Sequence, residues 1–364
     1  MSDVKYTPLY SLHQKCGARI EPFAGWAMPI QYTGIIEEHN SVRTSCGVFD
    51  VSHMGEIRVK GKKASVFLQQ MLTNDIVKGY IGRVIYSPMC NPEGGVIDDM
   101  TVYCLGNEEY MLVVNASRTE IDFRWLSERA GDGVNVEDIS LRLAEIALQG
   151  PASASVLQKI WPKCMELRYY HFERYRAGEK EVIVSRTGYT GEDGYEIYCD
   201  WEDAPELWET LMDAGADEGI TPCGLGCRDT LRLEAGMPLY GHELDESHTP
   251  IEAGLERFVC TDKGDFVGAA SLKEQLASGT RVRLCGFQMI EPGIARAGYR
   301  VLDGGKVIGV VTSGSHSPTL GKAIGMAYVE SELAVPGKRI DIDLRGRVRT
   351  AEIVKLPFYK RHKK

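Results

Sequence analysis

Residues 84–114 have the sequence VIYSPMCNPEGGVIDDMTVYCLGNEEYMLVV, and this stretch decides the fold class of the chain. Apolar side chains alternate in three short runs, 84–90, 96–104 and 110–114, which turn-forming segments separate. Alternation with a period of two predicts β-strands, and the short connections predict an antiparallel meander. Because strands pair in hairpins here and helical patterns occur elsewhere, the sequence indicates an α+β fold.

Two adjacent aspartates lie in the second run. On a strand, Asp99 shares a face with Thr101 and Tyr103. Asp98 shares the opposite face with Val96. A carboxylate among aromatic groups in a partly desolvated site is a candidate general base or a stabiliser of positive charge. The spacing is equally typical of two solvated aspartates beside a turn, so both interpretations stay open at this point.

The chain length predicts more than one domain. At 364 residues it exceeds the ~250–300 residues at which a single core usually stops growing. Short alternating strands with turns at 303–305, 336–337 and 345–346 follow the last helical pattern, which is typical of a small β-barrel or sandwich. We therefore divide the chain into an α+β region, 1–280, and a C-terminal β-domain, 281–364.

Helix signals occur throughout the α+β region. Thr7 is predicted to cap a helix that has Pro8 at its first position and Gly17 after its end. Asn115 and Ser117 are predicted to cap another helix that runs to about residue 129. Further helical patterns cover 35–46, 64–72, 205–214, 225–235 and 269–277, and strand patterns cover 182–187 and 195–198.

The loop between the last two strands contains glycine at every third position. These glycines are Gly188, Gly191 and Gly194. Glycine tolerates φ > 0 and allows a close approach of other groups to the backbone. The spacing therefore predicts a loop of defined shape.

Composition excludes several classes of function. The 42 basic and 51 acidic residues give a net charge of −9, which argues against a general nucleic-acid surface. No segment approaches the ~20 apolar residues of a membrane span, and the N-terminus lacks the apolar core of a signal peptide, so we expect a cytoplasmic protein. A local exception is the basic tail, which either attracts an anionic partner or is simply solvated. It contains Lys355, Lys360, Arg361, Lys363 and Lys364.

Cysteine and histidine spacing predicts no metal site. The ten cysteines include no Cys-x-x-Cys, and the eight histidines include no pair at metal-site spacing. Cys223 and Cys227, the nearest cysteine pair, are interpreted as reduced, buried thiols. The glycine-rich fingerprints of nicotinamide, flavin and phosphate-loop domains are also missing, as is the serine-hydrolase elbow.

A set of aromatic and polar residues remains in loops and at strand ends. Such residues suit a flat, polar heteroaromatic ligand, because tyrosine rings border it, carboxylates accept hydrogen bonds from its nitrogens and arginine pairs with a ligand carboxylate. With 17 tyrosines in the chain, several members are expected to be ordinary core residues. The set is Tyr86, Asp99, Tyr103, Asn115, Tyr170, Tyr189, Glu196, Tyr198 and Arg228.

Nine short sequence blocks follow one another in a specific order along nearly the whole chain. They are FAGW at 23–26, GVFDVSHMGE at 47–56, LTND at 72–75, GGVIDD at 94–99, VNA at 114–116, LQGP at 148–151, SRTGYTGEDG at 185–194, RDTLRLE at 228–234 and SPTLGK at 317–322. Any one block is weak evidence, whereas the ordered set is highly specific. Together the blocks resemble those of the glycine cleavage T-proteins, the aminomethyltransferases.

The resemblance implies a fold, a reaction and partners. The fold is a three-domain cloverleaf, two interleaved α+β domains followed by a C-terminal β-barrel, with tetrahydrofolate in the central opening. The reaction moves the methylene carbon of an aminomethyl group, carried on the lipoyl arm of the H-protein, to tetrahydrofolate. Its products are 5,10-methylenetetrahydrofolate, ammonia and the dihydrolipoyl H-protein. The resemblance implies no metal, nicotinamide or flavin, and we expect a monomer.

The resemblance also implies roles for individual residues. Asp99 matches the catalytic aspartate of the family, in agreement with the strand-face argument that separates it from Asp98. Glu196 is expected to bind the pterin, and Arg228 a polar or anionic part of the ligand. The residues matching positions that line the folate site are Met54, Tyr86, Tyr103, Asn115, Tyr170, Tyr189, Glu196 and Arg228.

Two departures from the family pattern and two alternative functions accompany this interpretation. Cys227 stands where a small residue usually precedes the arginine. In the short tail, a family arginine that approaches the folate is either replaced by Arg361 or absent. Tetrahydrofolate-dependent demethylases and methyltransferases of the same superfamily are one alternative. A non-catalytic folate-binding relative linked to iron-sulfur cluster maintenance is the other; its Lys-Gly-Cys-Tyr-x-Gly-Gln block is missing at 223–232.

Overall fold

The computed structural model describes residues 4–361, so Lys363 and Lys364 of the basic tail lie outside the described residues. The chain forms two compact units that alternate along the sequence. The first unit comprises Met1–Leu68, Ile76–Tyr86 and Met100–Asp229. The second unit comprises Gln69–Asp75, Ser87–Asp99 and Thr230–Lys364. The division of the chain at residue 280 stays a prediction.

Helices and strands mix along the chain, as the α+β prediction requires. The helices are α1 (Tyr10–Lys15), α2 (Ile35–Thr44), α3 (Ala64–Met71), α4 (Thr119–Arg129), α5 (Ser153–Ile160), α6 (Ala204–Ala214), α7 (Leu225–Glu234) and α8 (Ala269–Ser278). The strands are β1 (Arg19–Phe23), β2 (Trp26–Gln31), β3 (Cys46–Asp50), β4 (Gly55–Lys60), β5 (Val84–Cys90), β6 (Val96–Gly106), β7 (Glu109–Val114), β8 (Asn135–Asp138), β9 (Leu143–Gln149), β10 (Phe172–Ala177), β11 (Lys180–Ser185), β12 (Gly194–Asp200), β13 (Ile220–Pro222), β14 (Val282–Met289), β15 (Arg300–Asp303), β16 (Lys306–Ser317), β17 (Lys322–Glu330), β18 (Arg339–Leu344) and β19 (Arg347–Val354). No helix within residues 4–361 combines the length and the apolar character that crossing a membrane requires.

A six-stranded sheet forms the framework of the first unit. Its strand order is β10-β11-β12-β9-β3-β13, and its pairs are antiparallel except for β13 with β3. The side chains of β3 are buried throughout, and those of β9 and β12 almost throughout. Apolar residues of α5 and α6, including Leu157 and Trp208, belong to the same core cluster as Ile146 and Ile197 of the sheet. Each large aliphatic side chain buried in this way contributes about 1.5–3 kcal/mol.

The predicted meander is present as part of a second sheet. Its order is β5-β6-β7-β4-β8, in which the three predicted strands are neighbours. The predicted C-terminal domain is also confirmed as a closed barrel of order β14-β17-β16-β15-β18-β19. Gly325 lies against the Phe287 ring in the barrel core, where a Cβ atom would come within 2.3 Å of the ring. The α+β fold class with a C-terminal β-barrel is therefore confirmed.

Two helix starts differ from the prediction, and each has a local cause. Helix α1 begins at Tyr10, because the Thr7 hydroxyl donates a hydrogen bond of 2.6 Å to the Asp50 carboxylate and does not cap the helix. Helix α4 begins at Thr119, because a turn precedes it in which the Arg118 N–H donates to the Asn115 carbonyl at 2.8 Å. The other predicted helices begin within one residue of the predicted start.

The buried carboxylate of Asp50 makes the first unit sensitive to acid. Burial opposes its ionisation, but hydrogen bonds with His13 (2.7 Å), Thr7 and the Ser52 N–H hold the pKa of Asp50 below its usual range. A lowered folded pKa gives stability that is complete above the usual aspartate pKa of ~3.9 and is lost as pH falls through the folded value.

We therefore expect Asp50→Asn to have a lower melting temperature than the wild type at neutral pH. In acid, the two proteins should have the same melting temperature. Protonated Asp50 resembles asparagine, so the curves of melting temperature against pH should converge below about pH 4. Thermal unfolding of both proteins across this range measures the convergence. A constant gap between the curves would contradict the assignment.

Candidate functional site

The nine predicted site residues divide between the two units. Asp99 belongs to the second unit, and the other eight belong to the first. Those eight are Met54, Tyr86, Tyr103, Asn115, Tyr170, Tyr189, Glu196 and Arg228. One site that contains all nine stays a prediction, whereas contacts within the first unit connect several of the eight to one another.

Strand β6 presents its two aspartates on opposite faces. Asp98 is fully buried, as are Val96 and Val102 on the same face. Asp99 and Thr101 on the other face are half-buried. The predicted separation of the two carboxylates is thus confirmed, and the catalytic role of Asp99 stays a prediction.

Strands β6, β9 and β12 and the segment before β12 contribute a buried chain of hydroxyl groups with a carboxyl at each end. The Tyr198 hydroxyl lies 3.2 Å from Glu145 Oε1 and 2.9 Å from the Tyr103 hydroxyl. The Tyr103 hydroxyl lies 3.5 Å from Thr187 Oγ1, which donates a hydrogen bond of 2.5 Å to Glu196 Oε2. We call these five residues the hydroxyl chain. Tyr103 and Glu196 of the predicted set are thereby linked.

The carboxyl groups of the hydroxyl chain are held in a low-dielectric interior. Burial raises the pKa of Glu145 well above its usual range, and nearby Glu196 raises it further. Burial also raises the pKa of Glu196, although the Thr187 hydrogen bond and the charge of Arg228 oppose this shift. Glu145 and Glu196 therefore compete for the positive charge of Arg228.

Arg228 lies in the first turn of α7 with its guanidinium over the ring of Tyr189, 4.9 Å from the ring centroid. Its Nη1 atom is buried and has no hydrogen-bond partner within the part of the chain that the structure describes. A buried donor without a partner costs about 1–3 kcal/mol unless a ligand or water satisfies it. Arg228 is therefore suited to a ligand oxygen beside an aromatic ring.

The glycine-rich loop before β12 has the predicted character. Gly191 has φ of +81°. At Gly188 and Gly194 an added Cβ would come within 2.0 and 2.5 Å of the Gln149 side chain. The buried Gln149 amide donates to the carbonyl of Thr187 and accepts a hydrogen bond from Thr190. The glycines thus let one glutamine amide hold the loop that carries Tyr189.

Gly188→Ala is expected to lower stability by about 1–3 kcal/mol and to weaken ligand binding by the Tyr189 loop. The new methyl group displaces an amide that cannot move without losing its hydrogen bonds. Thermal unfolding and ligand titration measure the two effects. Gly131→Ala is the matched control, because its Cβ would meet no atom within 4 Å and φ is ordinary. Equal stability of the two variants would contradict the role of Gln149.

Two of the four remaining candidates pack near the hydroxyl chain. Met54 and Tyr170 pack against the core cluster that contains Tyr103 and Tyr198. Tyr170 has φ of +59°, which is uncommon for a bulky residue. Asn115 directly follows β7, and its carbonyl accepts a hydrogen bond from the Arg118 N–H, which precedes α4. Tyr86 is half-buried on β5.

Several buried titratable residues were not predicted as site residues. Among them are Glu145, Glu56 and His53, all at most 4% exposed. Burial raises the pKa of Glu56 well above its usual range, with nearby Glu145 adding to the shift, and it lowers the pKa of His53 to about 4. An acidic residue within an otherwise apolar strand, LAEIALQ, is the sequence signal that identifies Glu145.

Glu38, Cys223 and Cys227 bring their potential ligand atoms within 4.8 Å of one another in the first unit. The Glu38 carboxylate already accepts hydrogen bonds from the N–H groups of residues 32–34 and of Gly224. Burial raises the pKa of the Cys223 thiol well above its usual range, and metal binding requires the thiolate. These properties favour a structural role for the group, and the expectation of no metal stays a prediction.

Family comparisons cover both predicted regions of the chain. The GCVT N-terminal domain family matches residues 9–263, and the glycine cleavage T-protein C-terminal barrel domain family matches residues 283–360. A solved structure, the glycine cleavage system aminomethyltransferase T from Bartonella henselae, superimposes with a TM-score of 0.92 at 36% identity and covers 98% of each chain.

Similar sequences extend over the whole chain. The aminomethyltransferase of Geobacillus thermodenitrificans (strain NG80-2) is 50% identical over 363 residues, 99% of this chain and 100% of the relative. The aminomethyltransferase of Moorella thermoacetica (strain ATCC 39073 / JCM 9320) is 49% identical over 366 residues, 100% of both chains. The chain therefore belongs to the aminomethyltransferase family of the glycine cleavage system, as its sequence blocks predict.

Proposed function

We propose that the protein transfers the methylene carbon of an aminomethyl group from the lipoyl arm of the H-protein to tetrahydrofolate. The observation that carries the proposal is a set of buried polar side chains in a family member that matches its relatives along their whole length. In the first unit, Arg228 offers a buried donor beside the Tyr189 ring, and Glu196 ends the hydroxyl chain. Reaction products are 5,10-methylenetetrahydrofolate, ammonia and the dihydrolipoyl H-protein.

The side chains of the first unit fit a pterin in their chemistry. A pterin presents adjacent N–H groups on one edge, which pair with a carboxylate such as that of Glu196. Tyrosine rings such as Tyr189 suit its flat faces. The unpaired Nη1 of Arg228 suits a carbonyl or carboxylate oxygen of the ligand.

The proposed transfer needs charge stabilisation more than a strong base. The carbon loses its bonds to sulfur and to the amine nitrogen and forms two bonds to nitrogens of tetrahydrofolate, whose two N–H protons leave with the thiol and ammonia. Positive charge develops on the carbon as ammonia leaves. We assign its stabilisation to the carboxylate of Asp99, which is half-buried and so keeps a stronger field than in bulk water.

The proposal extends to the setting of the reaction. We propose that the lipoylated H-protein is the donor, that tetrahydrofolate is the acceptor without a metal, nicotinamide or flavin, and that the protein acts as a cytoplasmic monomer. The net charge of −9 supports the absence of nucleic acid among its partners.

The test is formation of 5,10-methylenetetrahydrofolate and ammonia from aminomethyl-loaded H-protein by the purified protein. We expect turnover that requires both tetrahydrofolate and the loaded H-protein, with unloaded H-protein as the control. Tight binding of tetrahydrofolate without turnover would contradict the proposed donor. In that case, formation of 5-methyltetrahydrofolate from small methylated donors would favour the demethylase alternative.

A further inference from the structure

The first turn of helix α2 contains a buried carboxylate that accepts hydrogen bonds from backbone N–H groups of two segments. Oε1 of Glu38 accepts the N–H groups of residues 32, 33 and 34 at 2.6, 3.1 and 3.3 Å, and Oε2 accepts that of Gly224 at 2.9 Å. Glu38 is 0% exposed. One carboxylate therefore ties the turn before α2 to the residue before α7.

Gly224 directly precedes α7, whose first turn carries Arg228. The Gly224 carbonyl accepts the Arg228 N–H at 3.1 Å. This glycine is closely packed, because an added Cβ would come within 2.3 Å of the Ile30 carbonyl. Glu38 thus fixes the residue from which the first turn of α7 extends, and with it the backbone of Arg228.

A second side chain of α2 contacts the loop that carries Tyr189. The Nη1 atom of Arg43 donates to the Thr190 carbonyl at 2.8 Å and to the Glu192 carboxylate at 3.0 Å. The two side chains of this ion pair are 6% and 5% exposed. Arg43 thus attaches the residue after Tyr189 to the helix that also fixes the start of α7.

Other side chains attach the same loop to the six-stranded sheet. Gln149 of β9 accepts a hydrogen bond from the Thr190 hydroxyl at 2.9 Å. Arg186, which follows β11, donates two hydrogen bonds of 3.1 and 2.6 Å to the Asp193 carboxylate. These contacts define the shape of the loop, whereas the contacts of Arg43 define its position relative to α2.

The guanidinium of Arg228 and the ring of Tyr189 lie 4.9 Å apart, and the chain beside each of them is attached to α2. Desolvation offsets much of the attraction between two buried charges, so a buried ion pair is weak evidence for stability. We infer that Glu38 and Arg43 are positioning residues that hold Arg228 and Tyr189 in register for a ligand. The identity of that ligand rests on the proposed function, whereas the attachment to α2 does not.

Glu38→Gln tests the attachment of α7. A glutamine side chain has one carbonyl oxygen, so either Gly224 or the turn at 32–34 loses its acceptor. We expect the Kd for tetrahydrofolate to rise about tenfold with little change in kcat, because Arg228 loses its position and keeps its charge. Glu37→Gln is the matched control, since Glu37 is exposed on the same turn of the same helix.

A pair of substitutions tests the attachment of the loop. Arg43→Met combined with Glu192→Gln removes both buried charges, so neither remains without its partner. We expect a similar loss of tetrahydrofolate affinity with little change in kcat. The matched control is Arg174→Met combined with Glu181→Gln, an ion pair of the same unit whose side chains are 45% and 53% exposed. Equal affinities of the test variants and their controls would overturn the inference.

Dependence on the ligand-binding side chains separates positioning from a general loss of stability. In a Tyr189→Leu background, the Arg43 and Glu192 substitutions should weaken tetrahydrofolate binding no further. In an Arg228→Met background, the same holds for Glu38→Gln. Full additive losses in both backgrounds would overturn the inference.

Hydrogen exchange tests the attachment to α2 without any ligand. Well below the unfolding temperature, amides of residues 188–194 should exchange faster in the variant of Arg43 and Glu192 than in its control, and those of residues 225–228 faster in Glu38→Gln than in Glu37→Gln. Unchanged exchange in both segments would overturn the inference. If wild type fails to bind tetrahydrofolate, the proposed function is contradicted, and hydrogen exchange alone decides whether α2 holds the two segments.

Discussion

Asp99→Asn is expected to lower kcat by about 10²–10⁴-fold while the fold and much of the tetrahydrofolate affinity remain. The amide has nearly the shape of the carboxylate but no charge, so it cannot stabilise the cation that forms as ammonia leaves. The half-buried position of Asp99 on β6 makes a folding defect from this change small. Rates of 5,10-methylenetetrahydrofolate formation from loaded H-protein measure the effect.

Asp98→Asn provides the neighbouring comparison. Asp98 is fully buried on the opposite face of the same strand. We expect this variant to reduce the melting temperature but to keep kcat per folded molecule, because its carboxyl faces away from that of Asp99. Loss of kcat in the Asp98 variant with full activity in the Asp99 variant would exchange the roles of the two aspartates.

Arg232→Met is expected to destabilise the second unit by about 3–5 kcal/mol. The Arg232 guanidinium donates to Glu243 at 2.7 Å, and the two side chains are 1% and 0% exposed. It also donates to the Ser313 hydroxyl at 2.8 Å in the barrel strand β16. Removal of the arginine leaves a buried carboxylate without its counter-charge, which costs more than the lost contacts.

A double variant separates charge from packing. Arg232→Met combined with Glu243→Gln removes both charges, and we expect it to recover part of the stability lost in Arg232→Met. The Glu243 carboxylate also accepts the Leu239 N–H at 3.0 Å, and the glutamine oxygen can keep that bond. Chemical denaturation of both variants measures the difference. A double variant no more stable than the single variant would show that packing dominates.

Elements with local signals were predictable from the sequence. Strand β6 alternates between buried and half-buried side chains over residues 98–102, and α7 and α8 begin at their predicted residues, because amphipathic periodicity and turn residues act within one element. Strands β3 and β9 were not predicted. Their side chains are buried on both faces, so their sequences lack the alternation that distinguishes a strand from a buried helix.

The candidate site was predictable only in part, for a related reason. Tyr103 and Glu196 are identified by the family resemblance, but their link through Thr187 joins side chains 84 residues apart. Glu145 has no partner nearby in the sequence, since the Tyr198 hydroxyl is 53 residues away. The Thr7 cap failed for the same cause, because a partner 43 residues away, Asp50, takes its hydroxyl.

The alternation of the two units along the sequence constrains how the protein can be synthesised and divided. The segments Gln69–Asp75 and Ser87–Asp99 leave the ribosome early, yet their unit gains the rest of its residues only after Thr230. Until then their apolar residues lack the partners that the finished unit supplies, and chains paused in this interval are the ones a chaperone would hold. A gene cut at any single point between the units therefore cannot yield two fragments that each fold as a whole unit.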